Sequence, residues 1–214
     1  MANDLQDLLG NSNILLTKPN RLYDVNRDFE HHVQIYQYNE GVMRIHDISD
    51  HVTHKYKGIW TNINKSEEWD ILQFFTGRKG RLRNFWLPLW QNEFKLYQDI
   101  SIWDDTIVIH DCFATDTFQG YERIFFELSN GDIITRHVTA VTDNGDDTET
   151  LTIETMMTRA IATTDIVYFG RLILTRFDQD ELLFDHYTPG VSDVDLSASF
   201  LEVTEEYAAA GAES

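Results

Sequence analysis

The sequence predicts a mainly β protein: a β-sandwich with one flanking α-helix, interrupted by a second, β-barrel-like domain. Three observations carry this. Most apolar residues recur with a period of two, as half-buried strands require. Only "NINKSEEWDILQFFTGRKG" (62–80) combines a helix cap, an acidic first turn and an i, i+3 apolar stripe. The charge balance changes near residue 98, and long alternating strands return near 166. Residues 1–97 carry twelve Lys/Arg against twelve Asp/Glu, residues 98–165 three against fourteen, and residues 166–214 two against ten.

Taken in order, residues 1–18 read as a short arm with no basic, apolar signal-peptide pattern. "HHVQIYQYN" and "GVMRIHDIS" alternate, and "NEG" at 39–41 is a plausible hairpin turn between them. In the helix, Asn64 and Glu67 fit a capping box, and Glu67, Glu68 and Asp70 oppose the positive end of the dipole. The stripe is Trp69, Leu72 and Phe75, or alternatively Phe74 with Ile71. Gly77 suits the helix end, and Gly77 or Gly80 is expected at positive φ. "RNFWLPLW" reads as a strand that lies at an edge or ends at Pro88, which has no N–H donor.

Beyond residue 98, "TIVIHD", "ERIFFELS", "DIITRHVTAVTD", "ETLTIETM" and "DIVYFGRLILTRF" are rich in β-branched and aromatic residues. "SNGD" at 129–132 marks a tight hairpin, and "TDNGDDTET" at 142–150 a second turn. "DQDELLFDHY" and "DVDLSASFLEV" form a closing pair of strands, and residues 207–214 a tail. Residues 166–205 are expected to pair in one sheet with residues 20–60 rather than with the insert.

The composition narrows the function. Hydrophobic content of 42% supports a substantial core, and no apolar run reaches the ~20 residues of a membrane span. A formal net charge of −19 opposes nucleic acid as the main partner, because phosphate neutralisation needs clustered Lys and Arg. Cys112 is the one cysteine, so a disulfide within the chain is excluded. "HDISDHVTH" at 46–54 is the densest histidine group, but alternation splits it between two faces, and no metal or other cofactor is expected. "DNGDDTET" lacks the full calcium-loop pattern and reads as a turn. No nucleotide-binding or nucleophile-elbow motif occurs, and no carboxylate pair stands out, so no enzyme activity is expected.

One stretch stands apart. "TGRKGRLRNFWLPLW" (76–90) sets Arg78, Lys79, Arg81 and Arg83 directly before a strand apolar on both faces. Such a strand needs cover on both sides, from within the chain or from another subunit. The subunit seam is the expectation. Phe85, Leu87 and Leu89 would pack under the helix through Trp69, Leu72 and Phe75, and Trp86 and Trp90 would lie against a neighbour. The four basic residues would meet acidic side chains of the adjacent protomer, setting register more than affinity.

The order of pieces resembles the distal tail or baseplate-hub ring proteins of tailed bacteriophages. The likeness rests on the helix ending "ILQFFTGRKGR", the following "NFWLPLW", a β-rich insert, and "RLILTRFDQDELLFDHYTPGVSDVDLSASFLEV", and it covers roughly 20–97 and 166–205. The resemblance implies a structural virion protein at the tail tip, assembled in the host cytoplasm. It implies a ring, typically hexameric, joining the tail tube protein to tail-tip hub proteins and the adsorption apparatus. It carries no catalytic residues. The expected organisation is an arm (1–18), a discontinuous ring-forming sandwich (19–97 plus 166–206), and an acidic inserted β-domain (98–165) that faces outward. The alternative function is a carbohydrate-binding module for a host-surface glycan, which would leave Trp103, Phe118 or Tyr121 exposed in a shallow groove. A third reading, a hydrolase, would show two facing carboxylates in a deep cleft.

Overall fold

A computed structural model describes residues 4–5, 13–19, 26–30, 33–37, 43–47, 53–117, 123–186 and 194–203. The fold is mainly β with one long helix, as the patterning predicts. In chain order the elements are β1 (Asp4–Leu5), β2 (Asn26–Glu30), β3 (Val33–Gln37), β4 (Met43–Asp47), β5 (Thr53–Ile63), α1 (Lys65–Arg78), β6 (Phe85–Pro88) and β7 (Thr106–His110). There follow α2 (Ala114–Thr117), β8 (Arg123–Leu128), β9 (Ile133–Asp143), β10 (Thr148–Ile153), β11 (Ile166–Phe177), β12 (Phe184–His186) and β13 (Val194–Glu202). The chain divides into two compact units: Met1–Leu16 with Phe85–Ile173, and Thr17–Asn84 with Leu174–Ser214.

In the first unit, β8, β9, β10 and β7 pair antiparallel in that order. The long strand β9 pairs with β8 over its first half and with β10 over its second. Both hairpin turns fall where glycine permits positive φ, at Gly131 (81°) and Gly145 (73°). Alternation sorts the faces: Ile107 and Ile109 of β7 are buried and Thr106 and His110 exposed. The core gathers Ile107, Ile109, Ile124, Phe126, Leu151 and Phe169, with Phe126 stacked on Phe169 at 4.2 Å between ring centroids. Phe94 and Leu96 belong to the same core. That is why this unit begins at Phe85 and not at 98: side-chain charge changes on the surface, while packing sets the boundary.

The first half of β11 also belongs here, pairing Ile166–Leu172 with β8. The expectation that 166–205 pairs with 20–60 and not with the insert is therefore corrected for this half-strand. Gly170 shows how closely it is approached. A Cβ at this position would lie 2.5 Å from the main-chain oxygen of Gln91. Backbone cannot swing aside as a flexible side chain can. Gly170→Ala should cost about 1–3 kcal/mol, read as a lowered thermal midpoint; an unchanged midpoint would show that the 91–93 loop yields freely.

In the second unit, β13 pairs with β5, and β5 with β2, all antiparallel. Thr175–Phe177 of β11 and all of β12 pair with β13. Strands β3 and β4 form a separate antiparallel pair, with Ile35 opposite Ile45. Their connecting turn, including "NEG" at 39–41, lies outside the described residues. The unit's core is aromatic. Phe177 meets Phe75 at 4.8 Å and Phe200 at 5.5 Å, and the Trp60 ring stands edge-on to Phe200 at 6.3 Å. The buried Trp60 indole N–H donates to the Thr17 carbonyl at 3.0 Å, so its polar handle is satisfied.

Helix α1 starts as its sequence dictates. The Asn64 side chain accepts from the N–H groups of Ser66 (2.9 Å) and Glu67 (3.1 Å), and Glu67 accepts from the Asn64 N–H at 3.0 Å. Its inward face draws on both stripes: Ile71 is buried, and Phe74 and Phe75 both pack against Phe177. Trp69 is 57% exposed, so its expected place over Phe85, Leu87 and Leu89 is corrected. The helix includes Gly77 and ends on Lys79 at φ 56°, followed by Gly80 at φ 61°. Among the described residues no helix is long and apolar enough to cross a membrane.

Candidate functional site

The sequence singles out the basic turn and the tryptophan strand that follows it, and the structure separates them. Arg78, Lys79, Arg81 and Arg83 lie in the second unit; Trp86 and Trp90 lie in the first.

The turn is firmly built. The Lys79 N–H donates to the carbonyls of Phe75 and Thr76, closing the helix. A short 3-10 turn spans Gly80–Leu82, with Leu82 N–H donating to Lys79 O (3.3 Å) and Arg83 N–H to Arg78 O (3.2 Å). Gly80 sits against Asp180, whose carboxylate also accepts from the Arg81 N–H at 3.3 Å and lies 3.7 Å from its guanidinium. Arg78 turns inward. Its guanidinium lies over the Phe74 ring (5.4 Å) and donates to Asn84 O (3.3 Å). Burial, with Arg83 nearby, lowers its pKa. Lys79, Arg81 and Arg83 remain exposed, and between the two arginines Leu82 is 70% exposed.

Trp86 and Trp90 are core residues of one chain, 9% and 3% exposed. The expectation that they lie against a neighbouring subunit is corrected. Phe85–Trp90 is buried throughout. The arm supplies cover that the sequence did not announce: Ile14 bridges to Trp86 in parallel, and Leu15 N–H donates to Trp86 O at 3.0 Å, with Ile14 and Leu15 both buried. The Arg123 guanidinium lies 5.1 Å from the centre of the Trp86 ring. Two indoles so enclosed offer no bare surface to another subunit.

The exposed apolar side chains lie elsewhere. Besides Leu82 and Trp69, they include Ile102, Trp103 and Met156. Two reciprocal bonds set the loops holding these last three side by side: Trp103 N–H to Met157 O, and Met157 N–H to Asp104 O, both 2.8 Å. Trp103 is 67% exposed at φ 74°, a conformation uncommon for a bulky residue. "SIWDD" held the signal for this: two apolar residues set in a turn closed by Asp104, which accepts from the Ser101 N–H at 2.6 Å. Phe118 and Tyr121 lie outside the described residues.

Two groups with catalytic potential prove structural. Glu149 is buried at 2% exposure, beneath the turn that carries Phe113 at φ 60°. It accepts from the N–H groups of Cys112 (3.1 Å), Ala114 (3.0 Å) and Thr115 (2.7 Å) and from the Thr115 hydroxyl (2.7 Å). Burial pushes its pKa up, but the bonds from Thr115, Cys112 and Ala114 outweigh that and hold it at about 2. Burial, then the Glu149 charge, pushes the Cys112 thiol up to about 11. At neutral pH the carboxylate is no proton donor and the thiol no nucleophile.

An open depression of about 340 Å³ is lined by Asn92, Phe94, Lys95, Leu96, Thr163, Ile166 and Phe169. It contains no carboxylate, and both ends of the Asn92 amide serve the backbone of β11. It does not supply the facing carboxylates of a hydrolase. Among the described residues, no three His, Cys, Asp or Glu side chains gather where they could hold a metal ion. No known protein-family model matches the chain, and no curated protein matches its sequence.

Proposed function

We propose that this chain is a structural subunit of a bacteriophage tail tip, a distal tail protein that assembles into a ring and joins the tail tube to the host-adsorption apparatus. The observation that supports this best is the turn Lys79–Arg83. It is held by backbone bonds and by Asp180, yet it presents Leu82 and three cationic side chains outward from a chain of net charge −19. A surface leucine framed by arginines on a fixed turn suits contact with an acidic protein surface. The order of helix, basic turn, buried aromatic strand and closing strands is the order on which the resemblance rests.

Light scattering on eluting protein, with electron microscopy of the same fractions, tests the reading. Closed rings, six subunits being the expected number, support it. A monomer at every concentration up to the solubility limit would overturn it.

A further inference from the structure

We infer that two surfaces of this chain are complementary, the basic turn Lys79–Arg83 of one copy docking on the acid-rimmed apolar patch Ile102–Trp103–Met156 of a second copy. The inference rests on the assembly reading above and specifies which residues meet.

The first surface is an apolar tip inside a cationic frame: Leu82 between Arg81 and Arg83, with Lys79 beside them. The second is the reverse, an apolar patch inside an anionic frame. Ile102, Trp103 and Met156 are exposed, and Asp99, Asp105 and Glu154 are exposed on the same two loops and their flanks. The contrast extends beyond the contact. The first unit carries five Lys/Arg against seventeen Asp/Glu, whereas its partner surface presents three exposed basic residues, Lys79, Arg81 and Arg83, within five positions. A second copy is thus favoured over a glycan. A sugar would use the Trp103 face but gives Ile102 and Met156 less to cover, and it brings no positive charge to the rim.

Both surfaces are preformed. Backbone bonds fix the turn, and the paired bonds between Trp103, Asp104 and Met157 fix the patch. Association would order little that is not already ordered. Because the two surfaces differ, the contact is heterologous. Each copy offers one of each, so contacts propagate until they close into a ring or extend as a filament.

The test uses full-length chains carrying Cys112→Ala. Leu82→Cys and Met156→Cys are introduced into separate chains, which are mixed and oxidised. A disulfide-linked pair should form in the mixture, and not in either variant alone. In parallel, Arg83→Glu and Asp105→Lys should each weaken self-association by about tenfold at low salt, and the chain carrying both should recover it. Near-UV circular dichroism confirms folding in each case. Cross-linking without closed rings keeps the contact and overturns the ring. Rings that form regardless of Arg83→Glu, Asp105→Lys and Trp103→Ser, without cross-linking, keep the ring and overturn the contact. Binding of an oligosaccharide panel that is lost in Trp103→Ser, with no cross-link in the mixture, also overturns it and assigns the patch to a glycan.

Discussion

Replacing Trp86 and Trp90 together by Ser should unfold the chain rather than release folded monomers. Both indoles are almost fully enclosed by their own chain. Truncating a buried aromatic side chain costs about 3–5 kcal/mol, against a total stability of about 5–15 kcal/mol for a typical protein. Serine adds a hydroxyl that costs free energy to bury unless it is hydrogen-bonded. The expected result is loss of cooperative thermal unfolding and of near-UV dichroism. A double variant that stays folded, with the parent's midpoint, would show that the indoles contribute little to the core. The more conservative Trp86→Phe should fold at a lowered midpoint, losing part of the packing but keeping a ring beneath Arg123.

The second large effect is expected at Glu149. Its folded-state carboxyl titrates at about 2 against an ordinary 4.5. A depressed carboxyl stabilises the fold in full above its unfolded pKa, and that contribution fades as pH falls toward the folded value. A difference of this size is on the order of 3 kcal/mol, lost between about pH 5 and pH 2. Glu149→Gln keeps the shape but turns an amide donor toward N–H groups that already donate. The thermal midpoint at neutral pH should fall by about 6–12 °C for a chain of this size. The gap between parent and variant should close on acidification. A gap of constant width from pH 7 to pH 3 would remove the ionised carboxylate from the account.

Local chemistry made much of this fold legible. Asn64 and Glu67 announced a helix start because a capping box is written in neighbouring residues. Gly131 and Gly145 marked turns because few other residues accept their φ. The alternation of β7 and the long apolar run of β11 gave strands where strands are found. At long range the expected pairing of residues 166–205 with 20–60 is found for β13 with β5, but other distant contacts were not legible. A strand apolar on both faces must be covered, but nothing in "NFWLPLW" says that Ile14 and Leu15 pair with it. The helix offers two apolar stripes, and Phe177, about a hundred residues away, takes Phe74 from one and Phe75 from the other while Trp69 stays exposed. Within the site, the basic turn was readable from its spacing. The apolar patch was not, because Met156 joins Ile102 and Trp103 only through the bonds between two distant loops.

The pairing of β5 with β13 sets a timetable for synthesis. Trp60 lies opposite Leu196, so the first strand of this pair leaves the ribosome 136 residues before its partner. At about 5–20 residues per second, Trp60 and Ile63 wait roughly seven to twenty-seven seconds for the strand that will cover them. The intervening stretch Phe85–Ile173 holds nearly all of the first unit and can collapse on its own core in the meantime. The nascent chain thus carries one unit able to fold early, tethered to another that cannot finish until β13 emerges. In that interval β5, with Trp60 and Ile63, lacks the strand edge and cover that β13 supplies.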